Sequence, residues 1–113
     1  MVTNPTIKYW NEDILKSEHW YINGKINRED GPAIIWYYES GKVEREFWCL
    51  NDEYHRENGP AIISYYESGK VEEEEWYLNN EKHRVGNPAY TRYYESGTLE
   101  SEQWYLNGKK IIN

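Results

Sequence analysis

The chain has a single cysteine, Cys49, which excludes an internal disulfide and a thiol-rich metal site. It has no apolar run of membrane-spanning length. Its first residues, MVTNPTIKYWNEDILK, lack the apolar stretch of a signal peptide. Asn4-Pro5-Thr6 is no glycosylation acceptor, because proline fills the middle position. Positive charge is scarce and scattered: 13 Lys and Arg stand against 20 Asp and Glu, a formal net charge of −7. Duplex-binding proteins cluster their basic residues on the phosphates, so nucleic acid is not an expected partner. No serine triad, phosphate-binding glycine loop or metal-binding motif is present, and the sequence predicts no enzyme activity, cofactor or metal. These absences predict a soluble, cytoplasmic protein of a reducing compartment.

Aliphatic side chains are also few. Hydrophobic residues make up 38% of the chain and aromatic ones 17%, so nearly half of the apolar content is ring. That balance suits half-buried pleated surfaces better than a wide core. The apolar runs are short and punctuated by Gly, Pro and Asn, which disfavours helix.

What the chain does have is a period. Trp20, Trp48, Trp76 and Trp104 are each 28 residues apart, as are Pro32, Pro60 and Pro88, and Gly41, Gly69 and Gly97. The segments Gly31–Leu50 and Gly59–Leu78 agree at 16 of 20 positions. A fixed period of this size indicates stacked supersecondary units. We read repeats at 20–47, 48–75 and 76–103, a partial copy at 104–113, and an N-terminal cap at 1–17 outside the pattern. Within the cap, Thr6–Trp10 is a candidate edge strand, and Glu12–Lys16 a turn of helix or a loop.

One unit reads as three strands and three turns. Asn51-Asp52, with Asn23-Gly24, Asn79-Asn80 and Asn107-Gly108, occupies a tight hairpin turn whose residues tolerate positive φ. A short strand follows at Glu53–Arg56, then a reversal at Glu57–Pro60. The next strand covers Ala61–Tyr66, and Glu67–Lys70 turns the chain into one long strand, Val71–Leu78. Sequence neighbours should pair, giving an all-β repetitive antiparallel meander. Lys109 and Lys110 discourage edge pairing at the last unit.

Alternation along the long strand separates two faces. One carries Glu44, Glu46, Trp48 and Leu50 and their counterparts, the same in every copy. The other carries Arg45, Phe47 and Cys49 and drifts between copies. The invariant face is expected to stack repeats. Arg28, Arg56 and Arg84 also recur at 28 residues, and they are expected to pair with the glutamate ladders.

The elements WYLN, HR, GPA, YYESG and ExExWYL, in that order over residues 18–110, resemble MORN repeats in their longer variant form. Similar arrays occur in antitoxin-like bacterial proteins and in repeat families of giant viruses and phages. The Tyr-x-x-x-Gly element (Tyr37 to Gly41, Tyr65 to Gly69, Tyr93 to Gly97) and the Asn-Gly turn carry the resemblance. It implies an elongated, twisted, single-layer sheet used for protein–protein interaction or scaffolding, sometimes as a dimer. A viral setting would imply host cytoplasm. Phospholipid binding, also proposed for MORN proteins, conflicts with the acidic balance here.

The chemically tempting residues read as structural. His55 and His83 share a repeat position with Asn27, which favours a hydrogen-bonding role over proton transfer. Successive copies lie too far apart to share a zinc. Cys49 stands where other copies have tyrosine. Glu72–Glu75 alternates between faces, so only two carboxylates can converge, too few for calcium. The candidate contact surface is the drifting residues Trp36, Phe47 and Tyr90 with the tyrosines Tyr38, Tyr66 and Tyr94. Two uses compete with a foreign protein partner: burial in a homodimer, and a lectin-like sugar site on aromatic platforms.

Overall fold

The computed structural model describes residues 5–111. No helix is present among them, and the chain is all-β. Fifteen strands follow in order: β1 Thr6–Tyr9, β2 Leu15–His19, β3 Tyr21–Ile22, β4 Lys25–Ile26, β5 Ile34–Tyr37, β6 Val43–Phe47, β7 Cys49–Leu50, β8 Glu53–Tyr54, β9 Ile62–Tyr65, β10 Val71–Glu75, β11 Tyr77–Leu78, β12 Glu81–Lys82, β13 Tyr90–Tyr93, β14 Leu99–Leu106 and β15 Lys109–Ile111. Nine of them form one sheet in the order β1-β2-β5-β6-β9-β10-β13-β14-β15, and every pairing is antiparallel. The other six form three two-stranded hairpins, β3-β4, β7-β8 and β11-β12. The molecule measures 49 × 36 × 16 Å along its principal axes.

The turns follow the sequence closely. Asn51 and Asp52 have φ of 49° and 67°, Asn79 and Asn80 have 47° and 68°, and Asn23-Gly24 and Asn107-Gly108 are also positive at both positions. This is the left-handed pair that a tight hairpin needs. Gly41, Gly69 and Gly97 take φ of 91°, 93° and 95° in the Tyr-Glu-Ser-Gly turns. Each turn closes with the same bond, as when the Tyr38 N–H donates to the Lys42 carbonyl at 2.8 Å.

The long strand differs from expectation everywhere but at its last occurrence. Val71–Leu78 is not one strand: β10 ends at Glu75 and β11 begins at Tyr77. Trp76 stands between them and changes partners. Its N–H donates to the Ala89 carbonyl in the large sheet, and its own carbonyl accepts from His83 in the hairpin. Trp48 does the same with Ala61 and His55, and Trp20 with Ala33 and Asn27. Only the last copy keeps an unbroken strand, β14.

The hairpins are tied to each other as well. Asp52 N–H donates to the Ile26 carbonyl and Arg28 N–H to the Cys49 carbonyl. The same two bonds link Asn80 with Tyr54 and Arg56 with Tyr77, then Gly108 with Lys82 and Arg84 with Tyr105.

The N-terminal segment pairs in the register of later strands. Thr6, Lys8 and Tyr9 pair with His19, Ser17 and Leu15, while Ile34, Trp36 and Tyr37 pair with Phe47, Arg45 and Val43. Each member of the first set lies 28 residues before its counterpart. Trp10 N–H bonds the Ile14 carbonyl as Tyr38 bonds that of Lys42. Thr6–Tyr9 is the expected edge strand. The Glu12–Lys16 stretch turns and then enters β2, with no helical turn.

The core is thin. Its fully enclosed residues are small: Ala33, Ala61 and Ala89 are 0% exposed, and Ser17 is the largest side chain completely buried. Ile62 and Ile63 add the main aliphatic burial.

Candidate interaction face

Register places the drifting residues on one face of the large sheet, in two rows. Residues directly opposite across strands share a face. One row runs Lys8, Ser17, Trp36, Arg45, Ser64, Glu73, Arg92, Ser101. The next runs Thr6, His19, Ile34, Phe47, Ile62, Glu75, Tyr90, Gln103. The structure therefore brings Trp36, Phe47 and Tyr90 to a common face.

That face changes character along the sheet. Its first half is aromatic and aliphatic. Trp36 meets His19 edge-on, with ring centroids 5.5 Å apart. Phe47 stacks on Tyr54 at 5.9 Å, and Tyr54 leans on Tyr77 at 5.3 Å. Ile34 and Ile62 flank Phe47. Arg45 reaches over Phe47 and donates Nε–H to Ser64 Oγ at 3.0 Å. The second half is ionic. Arg92 holds Glu100 at 2.7 Å, Glu72 at 3.0 Å and Glu73 through Nη1. Lys82 lies 3.5 Å from Glu75 and over the rings of Tyr90 and Tyr105. Tyr90 thus belongs to the charged half and stands apart from the apolar patch around Trp36 and Phe47.

Two of the three tyrosines of the expected contact surface also make hydrogen bonds along the array. Tyr38 donates its hydroxyl to the Tyr65 carbonyl at 2.6 Å, and Tyr66 donates to Tyr93 at 2.7 Å. Trp10 supplies the same bond one copy earlier, from its indole N–H to the Tyr37 carbonyl at 3.1 Å. Each is a strap across the joint between successive copies. Tyr94 has no such acceptor among the described residues and is 51% exposed. The strap was hidden in the sequence because Trp10 substitutes for tyrosine.

The arginine ladder also departs from expectation. Arg28, Arg56 and Arg84 do not pair with the glutamate ladders. Their guanidiniums stack on Trp20, Trp48 and Trp76 at 4.0, 3.7 and 3.8 Å from the ring centroids. Each donates Nη1–H to a proline carbonyl, Pro32, Pro60 and Pro88 respectively. The flat guanidinium suits an indole face, and proline's carbonyl is free because the chain is turning. A Cβ on Gly59 would lie 2.7 Å from Arg56 Cζ, so this glycine supplies space rather than a special φ. The indole N–H groups of Trp20 and Trp48 are buried without an acceptor among the described residues. Grooves of about 410 and 370 Å³ run beside these stacks, lined in turn by Trp48, Leu50, His55 and by Trp76, Leu78, His83.

The histidines bond as their Asn27 counterpart does. Asn27 Oδ1 accepts from Asn51 N–H at 2.8 Å, His55 Nδ1 from Asn79 at 3.0 Å, and His83 Nδ1 from Asn107 at 2.9 Å. Accepting through Nδ1 places the neutral ring's proton on Nε2. Burial, followed by the charge of Asp52, pushes the Cys49 thiol up to about 11. That leaves little nucleophilic thiolate near neutrality. Among the described residues no group of three or more His, Cys, Asp or Glu is placed to hold a metal ion.

No family model, curated protein or solved structure matches the chain.

Proposed function

We propose that this chain is a non-enzymatic protein-interaction or scaffold module, built as a single-layer array of 28-residue MORN-like units. The supporting observation is how the copies divide their labour. Positions shared by the copies form the joints: the tyrosine straps, the Arg–Trp stacks and the Asn or His clamps. Positions that differ gather on one face, where Trp36, Phe47 and Tyr54 form an apolar patch beside the exposed Arg45. Aromatic rings with arginine are the composition of interface anchors. The shortest dimension, 16 Å, fits one sheet with side chains on both sides. A viral or antitoxin-like setting remains an expectation of the resemblance.

The lectin-like alternative has weaker support. A sugar needs an open aromatic face, and guanidiniums cover Trp20, Trp48 and Trp76.

The test uses substitutions that the chain itself already accommodates. Ser64 stands at the Trp36 position of the second copy and Glu75 at that of Phe47. A Trp36→Ser, Phe47→Glu variant is therefore expected to fold. Capture from host lysate with both proteins as bait should recover a defined partner with the parent and lose it with the variant. Identical recovery by the two baits would refute the assignment of this face.

A further inference from the structure

We propose that the two open edges of the large sheet join head to tail, so that a second copy of this chain docks β1 against the Leu99–Gln103 segment of β14. The surface differs from the aromatic face, and the inference stands whether or not that face binds.

The chain contains the template three times. In the β2–β5 joint, Ser17, Glu18 and His19 face Trp36, Ile35 and Ile34. In the β6–β9 joint, Arg45, Glu46 and Phe47 face Ser64, Ile63 and Ile62. In the β10–β13 joint, Glu73, Glu74 and Glu75 face Arg92, Thr91 and Tyr90. The next step of this series places Ser101, Glu102 and Gln103 opposite Lys8, Ile7 and Thr6 of a second copy. β1 is the counterpart of β5, as its pairing with β2 shows. Among the described residues nothing pairs with the outer side of β1 or of Leu99–Gln103: β1 is exposed throughout, and β14 is exposed from Leu99 to Glu102. β15 covers only Trp104–Leu106, so Lys109 and Lys110 guard the hairpin half of that edge and leave the rest free.

The side chains of a fourth joint are also in place. Glu102 opposite Ile7 repeats the Glu18–Ile35 and Glu46–Ile63 pairs. Tyr94 is the fourth strap residue, and its acceptor would be the second copy's Tyr9 carbonyl. Tyr37 and Tyr65 donate to Glu18 and Glu46 at 3.1 and 2.6 Å, and Tyr9 with Glu102 would reproduce that bond. Arg92 alone faces three carboxylates, Glu72, Glu73 and Glu100, and Lys8 would arrive as a second cation two strands beyond it. Two elements are missing, since the sequence has Ile112 at the position of Arg28, Arg56 and Arg84 and Ile111 at that of the clamp. Asn27, His55 and His83 accept a bond at the clamp position, so the joint between copies is weaker than those within the chain, and association is reversible.

Such a contact uses different surfaces on the two copies, so it does not close at two. Sedimentation velocity with the parent chain should show species beyond the dimer growing with concentration. Hydrogen exchange should slow with concentration at 6–9 and 99–103. Tyr94→Phe removes a hydroxyl with no hydrogen-bond partner among the described residues and should weaken association about 5-fold at unchanged melting temperature. Lys8→Glu, at a residue whose register partner among the described residues is Ser17, should weaken it at least as much, about 5-fold or more. A monomer persisting to about 1 mM, the weak limit of specific association, would overturn the proposal. So would a dimer that both variants leave intact; if Trp36→Ser abolishes that dimer, the contact is the aromatic face.

Discussion

The stack of Arg56 on Trp48 offers a calculation that can fail. Arg56→Leu keeps most of the apolar stem and removes the guanidinium. The lost cation–π contact at 3.7 Å is worth about 1 kcal/mol for a half-exposed pair. The lost bond to the Pro60 carbonyl at 3.1 Å, with a charged donor, is worth about 1.5 kcal/mol. Residual solvation of the stranded carbonyl reduces the sum to about 2 kcal/mol, which lowers the melting temperature by about 8 °C at roughly 4 °C per kcal/mol for a domain of this size. Gly59→Ala acts through the same contact. Its Cβ would stand 2.7 Å from Arg56 Cζ and push the guanidinium off the indole, at a cost of about 1–2 kcal/mol. The two losses must therefore not add, because the double variant has no guanidinium left to displace. Urea and thermal melts followed by tryptophan fluorescence measure all three proteins. Additive losses would refute the shared mechanism. The third copy supplies a further control, since Asn87 fills the Gly59 position there and Gly86, with φ of 81°, stands one residue earlier. Asn58→Gly combined with Gly59→Asn transplants that loop and should recover most of what Gly59→Asn alone loses.

The clamp and the phenols give two more expectations. His55→Asn should leave stability within about 0.5 kcal/mol of the parent, because Asn27 already makes that bond, whereas His55→Leu should cost about 1 kcal/mol by stranding the Asn79 amide; equal losses by chemical denaturation would refute the clamp. Stability should also fall in alkali. Burial foremost, then Glu18 for Tyr37 and Glu75 for Tyr77, raises both phenols from 10.0 to about 12, and Cys49 rises from 9.0 to about 11. Groups raised in the folded state stabilise it fully below their unfolded values, and that stability is lost as pH climbs through the folded ones. The urea midpoint should therefore hold to about pH 9 and decline towards pH 12, and a flat profile across that window would refute the burial of these groups.

The turns were legible because their chemistry is local. Asn51-Asp52 and Gly69 announce positive φ without reference to anything distant. The faces were legible from Arg45 to Phe47, where alternation holds, but not at Glu44. Val43 and Arg45 oppose the adjacent residues Tyr37 and Trp36, and the extra residue is a bulge that alternation does not foresee; at its counterpart Glu72, both Glu72 and Glu73 reach Arg92. The interruption of the hydrogen bonding at Trp48 was not legible either. The return segment after Asn51-Asp52 is too short to accompany the outgoing strand, so Trp48 hands its carbonyl to the hairpin and its N–H to Ala61. Side-chain pattern is blind to this, because the residue type at the switch is apolar either way. The fate of Arg56 was hidden for another reason. Arginine, glutamate and tryptophan all recur at the same spacing, so the period alone cannot say which two meet. Geometry decides for tryptophan, since Arg56 sits just past the hairpin and beside the turn where Gly59 leaves room for a flat group.

Sequence divergence hid how closely the N-terminal strands match the register of later ones. Tyr9-Trp10 matches Tyr37-Tyr38 and Leu15 matches Val43, yet the Tyr-Glu-Ser-Gly signature is replaced by Asn11–Ile14. The backbone bond survives the change, with Trp10 N–H on the Ile14 carbonyl, because an open turn there can be closed by Asn11 Oδ1 accepting from Asp13 instead of by a positive-φ glycine. An array can therefore extend past the point where its sequence pattern fades, provided the strap donor and the strand register persist. The same criterion governs its other end. Tyr94 keeps the donor and β14 keeps the register, which is why the proposed head-to-tail contact asks of a second copy only the edge strand at Thr6–Tyr9.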